Sequence, residues 1–408
     1  MSSKDFVQKA FREFYSSIRE VPIPASISQR EFAFFLFRER IMIRHKSFKN
    51  ASVLKVFLSE TAPSDVYYSC AYYENPEYEM DRKGWLGADL VFDIDADHIP
   101  TPCNKIHDEW FCKTCKFEGL GIPPDRCPVC GSQKIETKTW PCPLCLTSAK
   151  EETRKLIDIL QSDFGFSSSE LHVYFSGHRG FHVQIEAEKV KTLDAAARKE
   201  IADYVSAVGL TFRGGQRGEE PNRKHSDALA LSNLGWGKRV KEGLQRFIAD
   251  ATKEDLKNAG IRKGFDIILQ NRDKLIARGI GEGMWQSVKG LSTRTWIKLA
   301  ESVASVQSAK IDSVVTTDVH RLIRLTGTLH GKTGLKKMEF LPSELEGFDP
   351  FKDAVAFKSG SVNVFVFNAP EFRIGDRVYG PYRNQAIELP TAAAVLLLCK
   401  GRAEVLNE

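Results

Sequence analysis

The chain has 408 residues, of which 42% are hydrophobic, and its 58 basic and 53 acidic residues give a formal net charge of +5. This length predicts one large or two ordinary globular domains, and the weakly basic charge permits a polyanionic partner without requiring one. The longest purely apolar run has eight residues, which excludes a membrane helix of roughly 18 to 20 residues and favours an intracellular, cytoplasmic protein.

The first part of the chain predicts helices followed by strands. Apolar residues at helical spacing predict helices over Asp5–Ser17 and Gln29–Arg40, and the sequence IMIRHKSF then predicts a short strand and turn. Three further strands are predicted, over Val53–Phe57, Val66–Tyr73 and Ala88–Ile94. A cysteine-rich segment follows the last of them.

The second part predicts a helix over Lys150–Asp163 and a hairpin of the strands Leu171–Ser176 and Phe181–Ala187, with glycines in the turn. The pattern from 192 to 306 is mainly helical, apart from a predicted loop over Arg213–His225. The last predicted elements are strands over Ser313–Val315, Glu339–Leu341, Val362–Phe367 and Val378–Tyr382 and a helix over Ala392–Cys399. We therefore expect a sheet built from both ends of the chain, with a helical insertion between them.

Seven of the nine cysteines lie between Cys103 and Cys145, six of them in Cys-x2-Cys pairs. Zinc takes four tetrahedral ligands, and the two-residue gap lets both sulfurs of a tight turn face one ion. A disulfide framework is the alternative, but it fits poorly in a large chain without a secretory signal. The spacing predicts zinc binding.

The ligands divide most simply into two sets. One set is a compact zinc ribbon of Cys112, Cys115, Cys127 and Cys130. The remaining three cysteines need a fourth ligand, which a nearby histidine supplies in the set Cys103, His107, Cys142 and Cys145. A competing division joins the pair at 127 and 130 to the pair at 142 and 145. It leaves the pair at 112 and 115 without a complete site, but the sequence does not exclude it.

The stretch LVFDIDADH at 90–98 combines a buried strand pattern with a carboxylate at every second position. Asp93 and Asp95 share one face of the strand, about 7 Å apart or less, and would repel each other unless a divalent cation lay between them. Magnesium prefers such oxygens and often joins a protein to phosphates. A solvated strand end or a calcium loop is the alternative, but the apolar neighbours favour a strand with a catalytic metal site.

Two basic motifs follow. SGHRGFH, at 176–182, would let backbone N–H groups and Arg179 approach a phosphate, although an ordinary hairpin with polar tips is the alternative. HRLIRLTGTLHGKTG, at 320–334, gathers four basic side chains around glycines and could instead be a solvated basic face. Together the motifs predict a triphosphate cradle beside a two-metal carboxylate site, the arrangement that nucleotidyl transfer requires.

VFDIDADH, SGHRGFH and RLIRLTGTLHGKTG, in this order, closely resemble the catalytic small subunit of the archaeal and eukaryotic DNA primase, in its archaeal form. The resemblance covers nearly the whole chain and includes REFAFFLFRERIMIRHKSF, in which Glu31 and Arg44 match family positions. It implies an α+β fold, a mixed β-sheet primase catalytic core (the archaeo-eukaryotic primase fold) with a zinc-binding insertion and a helical insertion. The implied boundaries are 1–101 and 146–190 for the first part of the core, 102–145 for the zinc insertion, 191–308 for the helical insertion and 309–408 for the second part.

The resemblance also implies residue roles. Asp93 and Asp95 correspond to metal-binding aspartates, and spacing matches the family's third aspartate to Asp312 rather than to Asp318. The implied nucleotide-binding residues are Arg44, Ser176, Arg179, His182, Arg324, His330 and Lys332. The family's structural zinc site corresponds to Cys103, His107, Cys142 and Cys145. Its halves are joined by a short loop in familiar members but are 34 residues apart here, so the second ribbon departs from the pattern.

The implied activity is synthesis of short RNA, and also DNA, primers from NTPs or dNTPs on a single-stranded DNA template, with catalytic Mg²⁺ or Mn²⁺ and one or two structural Zn²⁺ ions. The implied partner is the large regulatory subunit, in a heterodimer. Two alternatives remain at this point: a repair or translesion primase-polymerase that uses the same aspartates, and a zinc-dependent nucleic-acid-binding protein without catalysis.

Overall fold

The computed structural model describes residues 1–37, 41–212, 231–281 and 288–406. The predicted loop over Arg213–His225 lies outside the described residues. The chain divides into two compact units: one contains 1–157, 166–199 and 310–408, and the other contains 158–165 and 200–309. In the part of the chain that is described, no helix has both the length and the apolar character needed to span a bilayer.

Helices and short strands alternate along the chain. The α-helices of the described residues are α1 (Ser3–Ser17), α2 (Ala51–Thr61), α3 (Asn104–His107), α4 (Pro143–Ser162), α5 (Glu188–Lys191), α6 (Ala195–Val205), α7 (Gly235–Asp250), α8 (Lys253–Asn258), α9 (Phe265–Gln270), α10 (Arg272–Lys274), α11 (Thr293–Gln307), α12 (Ser313–Thr317), α13 (Pro350–Asp353) and α14 (Thr391–Cys399). The strands are β1 (Phe32–Phe35), β2 (Met42–Lys46), β3 (Asp65–Ser69), β4 (Ala71–Tyr73), β5 (Trp85–Ala88), β6 (Leu90–Asp95), β7 (Glu109–Cys112), β8 (Glu118–Leu120), β9 (Ile135–Lys138), β10 (Leu171–Phe175), β11 (Gly180–Ile185), β12 (Leu322–Arg324), β13 (Met338–Phe340), β14 (Ser361–Ala369), β15 (Phe372–Ile374), β16 (Arg377–Tyr379), β17 (Tyr382–Pro390) and β18 (Ala403–Val405). The predicted α+β class is confirmed.

Two antiparallel four-stranded sheets of the first unit carry the sequence motifs. One has the strand order β12-β3-β1-β2, and the other has the order β13-β10-β11-β6. Each sheet joins strands that lie before residue 200 to a strand that lies after residue 309, so both ends of the chain contribute, as expected, but to two sheets rather than one. In the second sheet, β11 pairs with β6 so that His182 lies opposite Asp93 and Gly180 opposite Asp95.

The core of the first unit holds the first sheet against two helices. Helix α1 begins after Ser2, whose hydroxyl accepts the N–H of Asp5 at 3.2 Å, and it buries Phe11 and Tyr15 completely. Four-residue spacing places such side chains on one helix face, which is the face that packs on the core. Because β3 and β12 belong to the same cluster of buried residues, this core fixes the strands from which the second basic motif extends.

Three predicted elements were wrong. The middle of the predicted helix Gln29–Arg40 is the interior strand β1, whose Phe-Ala-Phe run is buried between β2 and β3; 38–40 lies outside the described residues. The predicted strand Val53–Phe57 is part of α2, because the Asn50 side chain caps the helix by accepting the N–H of Val53 at 3.0 Å. Short apolar runs do not separate helix from strand by themselves.

The third wrong prediction concerns the segment before the second basic motif. Ser313–Val315 is the start of α12 rather than a strand. The carboxylate of Asp312 accepts the N–H of Val314 at 2.9 Å and thereby caps the helix. This cap orients Asp312, which the resemblance matches to the family's third metal-binding aspartate.

The described residues of the second unit are mainly helical, as the sequence predicted. Helices α7 and α11 pack against each other through buried side chains such as Leu244 and Leu299. Arg239 of α7 pairs with Asp158 at 2.5 Å and with Asp163 at 2.6 Å, which ties the end of α4 to this unit. None of the predicted site residues belongs to it.

Candidate active site and cysteine clusters

The three motifs line one cleft of about 210 Å³ in the first unit. Strand β6 and its following turn, the β10–β11 hairpin and the segment after α12 supply its polar walls. Its polar side chains are Tyr67, Asp93, Asp95, Asp97, Ser176, His178, His182, Arg321, Arg324, His330 and Lys332. The sequence motifs therefore converge on one concave surface, where carboxylates face imidazoles and cations.

A third aspartate lies next to the pair on β6. The backbone N–H of Asp312 donates to the carbonyl of Asp93 at 2.9 Å. Burial, together with the charges of Asp95 and Asp312, raises the pKa of Asp93 to about 7. The carboxylate of Asp318 instead accepts the N–H of His320 at 2.9 Å. Of the two candidates for the third aspartate, Asp312 is the one whose charge acts on Asp93.

The carboxylate cluster suits a hard divalent cation. Burial also raises the pKa of Asp95, and Arg179 opposes that rise. His182 places Nε2 3.3 Å from a carboxylate oxygen of Asp93, but burial lowers the pKa of this imidazole well below its usual value, so the ring does not neutralise the aspartates. Half-buried carboxylates with raised pKa values and an all-oxygen donor set are the environment that Mg²⁺ or Mn²⁺ stabilises.

The hairpin of the first basic motif is shaped by glycines. A Cβ on Gly180 would collide with the carbonyl oxygen of Ile94, so only glycine lets β11 pair this closely with β6. Gly177 has φ +89° and would place a Cβ 2.9 Å from Cβ of His330, which explains how the two basic motifs approach each other. The hydroxyl oxygen of Ser176 accepts the N–H groups of His178 and Gly180, which leaves its own proton for a ligand.

The cations of the second basic motif include Arg324, which a protein carboxylate compensates, and Lys332, which none does. Arg324 is buried and donates to Asp65 at 2.7 Å, and the same carboxylate accepts the N–H of Gly331 at 3.0 Å. Lys332 forms no ion pair with any described carboxylate within 4.0 Å. Sequence reasoning missed Asp65, which organises this motif, because an isolated aspartate at the start of a distant strand carries no local signal.

Two of the predicted nucleotide-binding arginines do not line the cleft. The buried guanidinium of Arg179 donates to both carboxylate oxygens of Asp108 at 2.8 Å and also pairs with Asp97. Arg44 pairs with Glu31 at 2.9 Å. Both arginines are engaged by protein carboxylates, and Arg179 thereby connects the β6 carboxylates to the cysteine-rich segment.

The cysteines form two four-ligand groups. Cys103, His107, Cys142 and Cys145 form the first cluster, and Cys112, Cys115, Cys127 and Cys130 form the second cluster; in each, the ligand atoms all lie within 4.8 Å of one another. The structure does not group the ligands as in the competing division, which joins the pair at 127 and 130 to the pair at 142 and 145. In the first cluster, Nδ1 of His107 lies 2.7 Å from a carboxylate oxygen of Asp108, which leaves Nε2 towards the cysteines. Both donor sets fit zinc.

Known proteins are similar to this chain over nearly its whole length. The family model described as "DNA primase small subunit" matches residues 132–340. The chain is 34% identical over 412 residues to the DNA primase small subunit PriS of Archaeoglobus fulgidus and 33% identical over 410 residues to that of Cenarchaeum symbiosum, with 99% of both chains covered in each comparison. The PriS of Nitrosopumilus maritimus is 30% identical over 402 residues, with 98% of both chains covered. The chain therefore belongs to the DNA primase small subunit family, in its archaeal form.

Proposed function

We propose that the chain is the catalytic subunit of a DNA primase, which joins nucleotides from NTPs or dNTPs into short primers on single-stranded DNA by two-metal nucleotidyl transfer. One observation carries the proposal. Asp93 and Asp95 line a cleft whose other walls are the two basic motifs, and Asp312, from a distant part of the chain, is hydrogen-bonded through its backbone to Asp93. The full-length similarity to chains named as DNA primase small subunits supports the reaction and the template.

The carboxylates would hold the catalytic ions. When bound, two divalent ions neutralise the reacting phosphates and favour attack of a 3′-hydroxyl on the α-phosphate. Asp93 and Asp95 approach from β6, while Asp312 is held beside them by its backbone hydrogen bond to Asp93. The neutral ring of His182 contacts Asp93 and orients that carboxylate.

The basic motifs would hold the triphosphate. Ser176 has a hydroxyl proton to donate, and Lys332 offers a cation without a described carboxylate partner. Arg324 is already paired with Asp65, which also lies near His330. We infer that Arg324 positions His330 and does not bind phosphate itself. These residues would neutralise the pyrophosphate that leaves.

The two cysteine clusters would hold structural zinc. Thiolate and imidazole donors at these distances match its tetrahedral coordination. The relatives are named as small subunits, which supports a heterodimer with a large subunit. We propose that this partner and the single-stranded template both contact the chain during primer synthesis.

A matched pair of substitutions tests the carboxylate assignment. Asp312→Asn removes a charge that acts on Asp93, whereas Asp318→Asn removes one from the other end of the same helix. Incubation with single-stranded template, Mg²⁺ or Mn²⁺ and labelled NTPs or dNTPs, supplied separately, measures incorporation. We expect Asp312→Asn to lose roughly 100-fold or more and Asp318→Asn to stay within about threefold of the unsubstituted chain.

The reverse pattern would refute the assignment of Asp312. If the unsubstituted chain bound the template but made no polymer, it would be a nucleic-acid-binding protein instead. Initiation without a primer that needs the large subunit is the result expected for a replicative primase. Extension of existing 3′ ends alone, independent of that subunit, would identify a repair polymerase of the same superfamily.

A further inference from the structure

The excess positive charge of the chain lies in the second unit. Residues 200–309 contain 18 basic and 13 acidic residues, and this difference equals the net charge of +5 of the whole chain. Within that segment, residues 259–298 alone contain eight basic and three acidic residues. The other segment of the unit, 158–165, adds Asp158 and Asp163, and both pair with Arg239 of α7. The positive excess is therefore confined to 259–298.

Two parts of this stretch pack against each other. The turn after α8, residues 259–264, meets the residues that lead into α11 and its first turns. Nζ of Lys298 donates to the carbonyl oxygen of Gly260 at 3.2 Å. A Cβ on Gly264 would lie 3.3 Å from Cδ2 of Leu291. Because these contacts join the turn to the start of α11, exposed side chains of both parts lie on the same region of the surface.

Four exposed cations occupy this region, and we call them the basic surface: Arg262, Lys263, Lys289 and Arg294. None of the four forms an ion pair within 4.0 Å with a carboxylate of the described residues. Other exposed lysines of the same unit do have such partners. Lys238 pairs with Glu242 at 3.9 Å, and Lys257 pairs with Glu254 at 3.3 Å. The charges of the basic surface are therefore uncompensated, unlike those of its neighbours.

The basic surface does not stabilise the fold through its charges. Arg294 lies in the first turn of α11, which contains no acidic residue, and the helix dipole disfavours a cation at that end. Like charges gathered on one surface also repel each other. A bound polyanion would relieve both unfavourable effects. Ligand binding therefore explains these four cations better than folding stability does.

A nucleic-acid strand is the polyanion that suits several separate exposed cations. Each nucleotide carries one phosphate charge, and Lys and Arg side chains that neutralise phosphates release condensed counterions, which drives binding without reading the bases. The proposed reaction starts on single-stranded DNA, before any duplex exists. The chain must therefore hold the single strand first.

We propose that the basic surface of the second unit binds the phosphate backbone of the single-stranded DNA template. The inference rests on the proposed function, which supplies the template. It deepens that function by assigning template contacts to a unit of which no described residue lines the cleft. Binding through phosphates holds the strand without selecting its sequence.

The test measures binding of labelled single-stranded oligo-dT to the full chain by fluorescence anisotropy, over a series of salt concentrations and without nucleotide or divalent ion. Lys263→Gln combined with Lys289→Gln should weaken binding roughly tenfold at low salt. It should also reduce the slope of log K against log salt by about 1.4, because each phosphate contact on a single strand contributes about 0.7. Lys263→Arg combined with Lys289→Arg should retain both affinity and slope.

The matched control is Lys238→Gln combined with Lys257→Gln, which removes two exposed lysines of the same unit that have acidic partners. It should leave the slope nearly unchanged, and thermal unfolding of every variant confirms folding.

An equal fall in slope for both pairs of substitutions overturns the inference, as does an unchanged slope in the first pair. Loss of binding to a duplex oligonucleotide alone, or loss of large-subunit association with DNA binding intact, also overturns it. Primer synthesis is measured separately: its absence in the unsubstituted chain overturns the proposed function, whereas a reduced slope in the first pair alone still supports the basic surface.

Discussion

The two cysteine clusters have the same ligand chemistry but different surroundings. In the first cluster, His107 contacts Asp108, Asp108 binds the buried Arg179, and Arg179 pairs with Asp97 in the turn after β6. The second cluster lies at the end of the β8-β7-β9 sheet, with Cys115 and Cys130 exposed. Among the described residues, no chain of ion pairs leads from it to the cleft.

The difference shows that a chain can form a metal site without connecting that site to the catalytic residues. A Cys-x2-Cys pair needs only a tight turn to present two sulfurs. Coupling needs further partners that hold the ligands and extend elsewhere. We infer that the first cluster is part of the frame of the β6 carboxylates, whereas the second stabilises its own small sheet.

Replacing one zinc ligand in each cluster should give the largest difference in activity between the two clusters. Cys145→Ser should release the first zinc and lower nucleotide incorporation by roughly 100-fold, because structural zinc contributes about 10 kcal/mol or more to folding of its surroundings. Cys127→Ser should release the second zinc and leave most of the activity. Zinc per chain and incorporation are measured on both variants. Equal losses of activity would show that the two clusters are not functionally distinct.

Breaking the connection while keeping the zinc ligands should have an intermediate effect. Arg179→Met removes the guanidinium that compensates the buried carboxylate of Asp108, which then keeps only its contacts with Asn104, His107 and Trp140. This loss should lower stability by about 3 to 5 kcal/mol and incorporation by roughly tenfold. Arg179 opposes the rise in the pKa of Asp95, so its loss should raise that pKa further. Asp95 must be ionised to bind a cation, and activity falls as pH drops through its pKa. The acid limb of the pH profile should therefore move to higher pH.

The control for this shift is Cys127→Ser, which should leave the acid limb where it is in the unsubstituted chain. Asp108→Asn tests the other end of the connection and should keep zinc in the first cluster while weakening the hold on Arg179. An unchanged pH profile in Arg179→Met would contradict the link between the first cluster and β6. Metal content distinguishes this result from simple loss of the zinc site.

The smallest expected effect concerns the order of zinc release. A chromogenic chelator should remove the ion of the second cluster first, because two of its four ligands are exposed, whereas the side chain of His107 in the first cluster is only 6% exposed. Incorporation should change less than about twofold during this first phase. Loss of activity in parallel with the first ion released would reverse the roles inferred for the clusters.

Local sequence patterns predicted the types of chemical group at the site better than they predicted the short helices and strands. The motif around Asp93, the hairpin glycines and the cysteine spacing each depend on neighbours within a few residues, so their types are readable in sequence. The run at Val53–Phe57 is equally apolar in a helix or a strand, and its helical state depends on the cap at Asn50. Asp312 was found only through resemblance, since its environment is formed by a strand far away in sequence.

The amino-acid sequence by itself determined which residue types were available: carboxylates at strand spacing, cysteines at metal spacing, and basic side chains beside glycines. Only the tertiary structure decided that Arg179 binds Asp108 instead of lining the cleft. The physical reason is that pairing and burial of charges depend on residues brought together from distant segments. Such long-range contacts leave no periodic signal in the chain.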